Sequence, residues 1–321
     1  MSELDHDPAT RAALVDHARL AIKHGSQSFS AAARLFDRQT RERAWLLYAW
    51  CRRCDDIADN QVLGGELGEQ SDLPSRLALI RRLTALAFAG RKTGDPAFDA
   101  LGIVAREVGL TPQMAEDVIA GFQLDAEDWR PRTEADMLRY CYHVAGAVGV
   151  MMAVVMGVDP EDTDTLDRAC DLGLAFQLSN IARDIVEDDA AGRCYLPMEW
   201  LVEQDIEPGQ HTKPHHRAEL AEMTARLVAL VEKHEAAARV GAARLPFRSR
   251  WAVLSAARIY GAIGRKVARR GTEAWNNRTY VPRGEKALYG VRAFLSAALN
   301  REKMPAGGID WGIADYRPSS R

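Results

Sequence analysis

The sequence predicts an all-α protein, and three observations carry that prediction. Apolar residues recur at i, i+3, i+4 and i+7 through most of the chain, sustained strand-type alternation is missing, and the breaks between periodic segments are short. Valine and isoleucine fall inside helical patterns. Arg41–Asp59, Ser75–Ala89, Pro112–Asp125, Asp164–Asp188 and Arg217–Ala243 each hold the pattern for more than ten residues. The breaks fall at Asn60–Pro74, Gly90–Pro96, Trp129–Thr133, Asp159–Asp162, Glu207–Pro214 and Leu245–Pro246, all rich in turn formers. No linker separates two compositions and no solenoid period recurs. The expected organisation is therefore one domain over residues 1–321 with ten or more helices. Its ends, about residues 1–20 and 304–321, are expected to be loose.

Composition narrows the function. With 47% hydrophobic and 27% charged residues the chain is globular in balance, and a net charge of −3 gives no general attraction to nucleic acid. Five cysteines in 321 residues do not make a disulfide framework and suit a reducing compartment, so a cytoplasmic location is expected. No secretory signal opens the sequence. The most apolar stretch, Val144 to Val158, is shorter than the ~20 residues a spanning helix needs and reads as a core helix. Peripheral contact with a membrane stays open.

Two acidic patterns stand out. In Cys54-Asp55-Asp56-Ile57-Ala58-Asp59, Asp55 and Asp59 leave one helix face, where like charges oppose helix formation. Forty-five acids in 321 residues give about six such pairs by chance, so spacing alone says little. The setting says more: the pair ends a strongly apolar helix on whose face Tyr48 and Arg52 also lie. In the second pattern, Asn180, Asp184 and Asp188 follow at i, i+4 and i+8 along one stripe. These are oxygen ligands of the kind hard divalent cations select, and Mg²⁺ takes few carboxylates together with substrate phosphates. Arg183 and Arg193 would bind the same phosphates. The bland alternative, an exposed acidic helix end, sits poorly with the apolar run Leu172–Leu178 that leads into the motif.

Two such stripes suggest one site in which cations clamp a diphosphate while apolar helices house a hydrocarbon tail. The chemistry would be metal-assisted ionisation, and the carbocation formed would need a dry container.

Five stretches resemble the squalene/phytoene synthase family: Ser26-Gln27-Ser28-Phe29, Tyr48 through Asp56, Arg139 through Gly146, Gln177 through Asp184 and Gly192 through Pro197. They run in family order from about residue 22 to 280. The resemblance implies an isoprenoid synthase fold, a helical bundle around an apolar cavity, and head-to-head condensation of two geranylgeranyl diphosphates to phytoene through prephytoene diphosphate. It further implies Asp55 and Asp59 as the first metal-binding motif and Asn180, Asp184 and Asp188 as the second. Arg52, Arg183, Tyr195 and Arg278 match diphosphate-holding positions, and Arg193 and Gln177 lie within matched motifs. Ser26, Ser28 and Phe29 form a substrate motif, and Tyr48 and Tyr142 face the reaction region. Mg²⁺ is the implied cofactor, with Mn²⁺ as a substitute, and no NADPH is expected. The implied partners are a prenyl diphosphate, membrane lipid and the downstream carotenoid enzymes.

Two further features invite function. Cys51-Arg52-Arg53-Cys54 has CxxC spacing but no second ligand pair and no βαβ context, and reads as plain helix. Arg239–Arg270 carries nine positive charges and no acid, which fits a solvated face, a diphosphate wall or contact with anionic lipid. The rival functions are a squalene or dehydrosqualene synthase using farnesyl diphosphate, and a non-catalytic lipid-binding or assembly protein. The second should have lost motif carboxylates, and all four aspartates are present.

Overall fold

The computed structural model describes residues 3–4, 7–25, 32–60, 72–126, 129–300 and 309–317. Among them the fold is all-α, as expected, and the one bridge between extended segments joins Glu3 and Arg91. The backbone forms two compact units, Met1–Glu127 with Val150–Thr163, and Asp128–Gly149 with Asp164–Arg321.

The first unit contains α1 (Pro8–Gly25), α2 (Arg38–Ala58), α3 (Leu73–Phe88), α4 (Pro96–Val108) and α5 (Pro112–Ala126). Asp37 starts α2 by accepting from the Thr40 backbone N–H at 3.0 Å. Prolines occupy the first turns of α3 and α4, and Gly109 ends α4 in the left-handed region at φ 78°. Helix α2 packs on all four of the others. Its Trp50 is fully buried and donates to the Thr84 hydroxyl at 3.3 Å. Helix α1 occupies most of the N-terminal stretch expected to be loose. It is held because Ala18 and Ile22 are buried and Arg11 pairs with Glu42 of α2 (2.7 Å) and Glu107 of α4 (2.5 Å).

The second unit contains α6 (Glu134–Cys141), a π-helical turn (Tyr142–Gly146), the start of α7 (Ala147–Val155), nearly all of α8 (Thr163–Ala190), α9 (Met198–Glu203), α10 (Arg217–Ala242), α11 (Phe247–Arg270) and α12 (Arg283–Leu299). Thr133 and Asp136 close a capping box at the start of α6. Glycines let α8 approach the π-turn and α7 backbone to backbone. A Cβ on Gly173 would stand 2.4 Å from the Ala145 carbonyl oxygen, and one on Gly149 would stand 2.6 Å from that of Ala169. The helical run Glu134–Val155 is longer than the apolar stretch read from sequence and is long and apolar enough to cross a membrane. Its most apolar window is 61% buried within the protein, so core packing accounts for its composition.

Residues 309–317 also depart from the loose tail expected of them. Trp311 donates to the buried Asp171 carboxylate at 2.8 Å, the Ile313 backbone N–H donates to Asp167 at 2.8 Å, and Arg168 donates to the Trp311 carbonyl. Asp171 also meets His234 at 2.6 Å and Arg168 at 3.1 Å. The pairing sets opposite charges together in a region where an unpaired charge would be expensive.

Most of the basic Arg239–Arg270 segment is engaged within the unit. Arg239 and Arg265 pair with the buried Glu235, Lys266 pairs with Glu285 at 2.7 Å, and Arg250 caps the carbonyls of Leu245 and Ala297. Arg258 donates to Ser296, and Arg270 donates to the Asn277 carbonyl and the Thr279 hydroxyl.

Candidate active-site motifs

The first motif ends α2. Arg52 lies 3.3 Å from Asp55 and 3.0 Å from the buried Asp56, while Asp59 is the C-cap residue one turn beyond Asp55. Burial raises the Asp55 carboxyl to about 6; Arg52 opposes this, and Asp59, Asp56 and Asp125 add like charge. The side chain is still 46% exposed, so solvent screens part of that effect. Tyr48, one turn before Arg52, is half-buried, and burial raises its phenol too.

The second motif ends α8. Gln177, Asn180, Arg183, Asp184 and Asp188 are all partly buried along it. Arg183 donates to both oxygens of Asp184, from Nε at 2.8 Å and from Nη2. Arg278 adds a third cationic contact, Nη2 to Asp184 Oδ1 at 2.9 Å. It is held there because Trp275, three residues earlier, donates to the Ala182 carbonyl of α8 at 3.1 Å. The Asp188 carboxyl rises to about 6, first through burial, then through Asp184 and Glu187, with Arg193 and Arg183 opposing.

Elsewhere in this unit Tyr195 stacks on Tyr140 with ring centroids 4.8 Å apart, and Tyr140 stacks in turn on Trp129. Tyr142 heads the π-turn, is 1% exposed and accepts a hydrogen bond from Arg317 at 3.1 Å. Ser26, Ser28 and Phe29 lie outside the described residues. The charge of Asp125 felt by Asp55 and the contact of Arg317 with Tyr142 were not read from the sequence. Both join distant segments and leave no local pattern. Cys54 is buried, its thiol pushed well above the usual range, and Cys51 is pushed up to about 12, so neither is a reactive thiolate.

Both acidic motifs lie at helix C-termini, where the partial negative charge of the helix end adds to the repulsion between carboxylates. A cation is the natural complement. Among the described residues no three His, Cys, Asp or Glu side chains converge to cage an ion unaided. Mg²⁺ does not require such a cage, since it keeps waters and shares phosphate oxygens, and the donor set fits it on those terms.

A match to the squalene/phytoene synthase family spans residues 22–285. The chain belongs to that family. It is 47% identical to a phytoene synthase of Pseudescherichia vulneris, over 85% of this chain and 88% of the relative. It is 45% identical to a 15-cis-phytoene synthase of Pantoea ananas, over 90% and 93%. The crystal structure of a dehydrosqualene synthase in complex with ligand superposes with a TM-score of 0.80 at 25% identity, covering 91% of this chain and all of that one. A squalene synthase of Alicyclobacillus acidocaldarius shares the fold at 21% identity and a TM-score of 0.74, over 83% of this chain and 97% of the other.

Proposed function

We propose that this chain is a phytoene synthase, a prenyltransferase of carotenoid biosynthesis that joins two geranylgeranyl diphosphates head to head. One observation carries the reading: identity of 43–47% to four bacterial phytoene synthases over most of the chain, with every motif aspartate in place. The first diphosphate leaves as a cyclopropyl intermediate, prephytoene diphosphate, forms. The second then leaves and the rearranged cation loses a proton to give phytoene. Two diphosphates and two protons depart, so the balance needs no reductant and no NADPH.

Asp55, Asp59, Asn180, Asp184 and Asp188 would hold Mg²⁺, or Mn²⁺ in its place, which when bound neutralises the departing diphosphate. Arg52, Arg183, Arg193 and Arg278 bind diphosphate oxygens, and Tyr195 and Gln177 border them. For Asp184 this means an exchange: Arg183 and Arg278 pair with it in the free protein and turn to phosphate when substrate arrives. Tyr48 and Tyr142 border the reacting carbons, where their phenols offer a π-face to a cation. Ser26, Ser28 and Phe29 complete the substrate motif. The product is a hydrocarbon that leaves into a bilayer toward the next carotenoid enzymes, which places this cytoplasmic protein at a membrane surface.

Incubation with labelled geranylgeranyl or farnesyl diphosphate and Mg²⁺, with and without NADPH, followed by chromatography, tests the reading. A C40 hydrocarbon from geranylgeranyl diphosphate without NADPH is the expected product. A C30 product from farnesyl diphosphate alone would make the chain a squalene or dehydrosqualene synthase. No turnover of either would favour a non-catalytic relative.

A further inference from the structure

Helix α12 is inverted relative to an ordinary surface helix. Its buried side is built from Ala293 and Ala297, packed on Leu254 and Ala242. Its outward side presents Leu288, Val291, Phe294, Leu295 and Leu299, each between 41% and 59% exposed. At helical spacing these five fill one half of the cylinder, with only alanine and glycine between them, and Arg283 and Arg292 border that half on either side. From Leu288 to Leu299 the ridge is about 17 Å long, on a helix of about 25 Å. Phe247 of α11 meets Phe294 edge-on at 5.5 Å and is itself 41% exposed, so the apolar surface continues onto the next helix. Single exposed leucines are ordinary, but a contiguous ridge marks a contact surface.

We infer that this face of α12 docks the protein on an anionic membrane surface, lying in the headgroup plane with its apolar ridge in the acyl region. The charge pattern selects this occupant. The ridge itself carries no carboxylate, and the helix's one acid, Glu285, is paired with Lys266. Arginines at both borders would meet lipid phosphates, whereas a second copy packed ridge to ridge would bring like charges together. Of the readings open for Arg239–Arg270, lipid contact is the one the α12 face serves better, since most of the charges in that segment are held by partners inside the unit. The inference rests on the proposed activity only for its purpose, delivery of a hydrocarbon; the surface stands on its own geometry.

The test is sedimentation of the full chain with phosphatidylcholine vesicles, with and without phosphatidylglycerol, at low and high salt. Three proteins are compared: the parent, Leu288→Glu/Val291→Glu/Leu295→Glu, and Arg283→Gln/Arg292→Gln. The parent should bind the anionic vesicles and weaken as salt rises. The glutamate variant should bind about tenfold or more weakly, and the glutamine variant should lose its preference for anionic lipid. Activity in detergent micelles and the thermal midpoint report folding; if the glutamate variant fails there, the glutamine variant decides alone. Equal binding by parent and variants would overturn the inference. So would a parent that ignores vesicles and forms a dimer that the glutamate variant dissolves. Vesicle binding without turnover of any prenyl diphosphate would overturn the proposed activity and leave the surface intact.

Discussion

Arg317 donates from Nε to the phenolic oxygen of Tyr142 across 3.1 Å, joining the end of the described chain to the head of the π-turn, 175 residues away in sequence. Tyr316 stacks on the same ring at 6.2 Å. The segment 309–317 is thus a strap. It is anchored on α8 through Trp311 and Ile313, and its far end bears on a tyrosine of the proposed reaction region. Arg317→Ala removes one hydrogen bond from a buried phenol, an effect of about 1 kcal/mol. Steady-state kinetics should show kcat reduced by up to about tenfold with KM nearly unchanged. An unchanged kcat would remove the strap from the reaction.

The anchor should matter more to stability than to rate. Asp171 accepts from the part-buried Trp311 and meets His234 and Arg168, both with little or no solvent access. Asp171→Ala would leave the buried arginine uncompensated, at a cost of about 3–5 kcal/mol. Urea denaturation should show an unfolding free energy lowered by that amount, and a loss below about 1 kcal/mol would mean that the network is not cooperative.

Two glycine substitutions should have opposite signs. Gly173→Ala drives a methyl group to within 2.4 Å of a backbone oxygen and should destabilise by about 3 kcal/mol. Gly290→Ala on α12 meets nothing within 4 Å and should stabilise by about 0.5–1 kcal/mol through helix propensity. Thermal melting of the pair isolates the close approach from propensity, because only the first site has a backbone in the way.

What was legible in the sequence is what periodicity encodes. Arg41–Asp59, Pro112–Asp125 and Arg217–Ala243 differ from α2, α5 and α10 by no more than three residues at either end, because amphipathic spacing and turn residues mark those limits locally. The acidic motifs were legible because their members share one helix. The strap was not, since its hold on the fold lies in Trp311 and Ile313 reaching α8, and a tail rich in glycine gives no periodic sign of that. Arg278 was singled out by resemblance alone, as a diphosphate-holding position; its contact with Asp184 was not legible, because it depends on the tertiary bond from Trp275 to Ala182. The roles of the arginines in Arg239–Arg270 also depended on partners in other helices.

Substitution at the motifs should separate chemistry from folding. Asp55→Asn and Asp184→Asn should each lower turnover by orders of magnitude, since each removes a proposed cation ligand. Asp55→Asn should leave the fold intact or slightly firmer, because it relieves repulsion from Asp59 and Asp56. The double variant Cys51→Ala/Cys54→Ala should keep substantial activity, its thiols being protonated bystanders. Turnover and circular dichroism of the three proteins check this, and an essential cysteine pair beside dispensable aspartates would refute the assignment.

Cation binding should depend on pH in a direction fixed by the same carboxyls. Asp55 and Asp188 hold their protons to about 6 in the fold, against an ordinary value of 3.8. Each therefore contributes stability to the metal-free protein below about pH 4, and that contribution is lost as pH rises through 6. Above that pH the fold carries crowded carboxylates at two helix ends, whose repulsion the proposed Mg²⁺ would offset. Below it, protons compete with the cation for the same oxygens. Thermal melting with and without Mg²⁺ should show a small rise in midpoint at pH 5 and a clearly larger one at pH 7.5, since stabilisation by a ligand grows with its affinity for the folded state. In Asp55→Asn/Asp188→Asn the dependence should flatten, because neither position can then take up a proton. An Mg²⁺ shift of equal size at both pH values in the parent would place the cation on other groups.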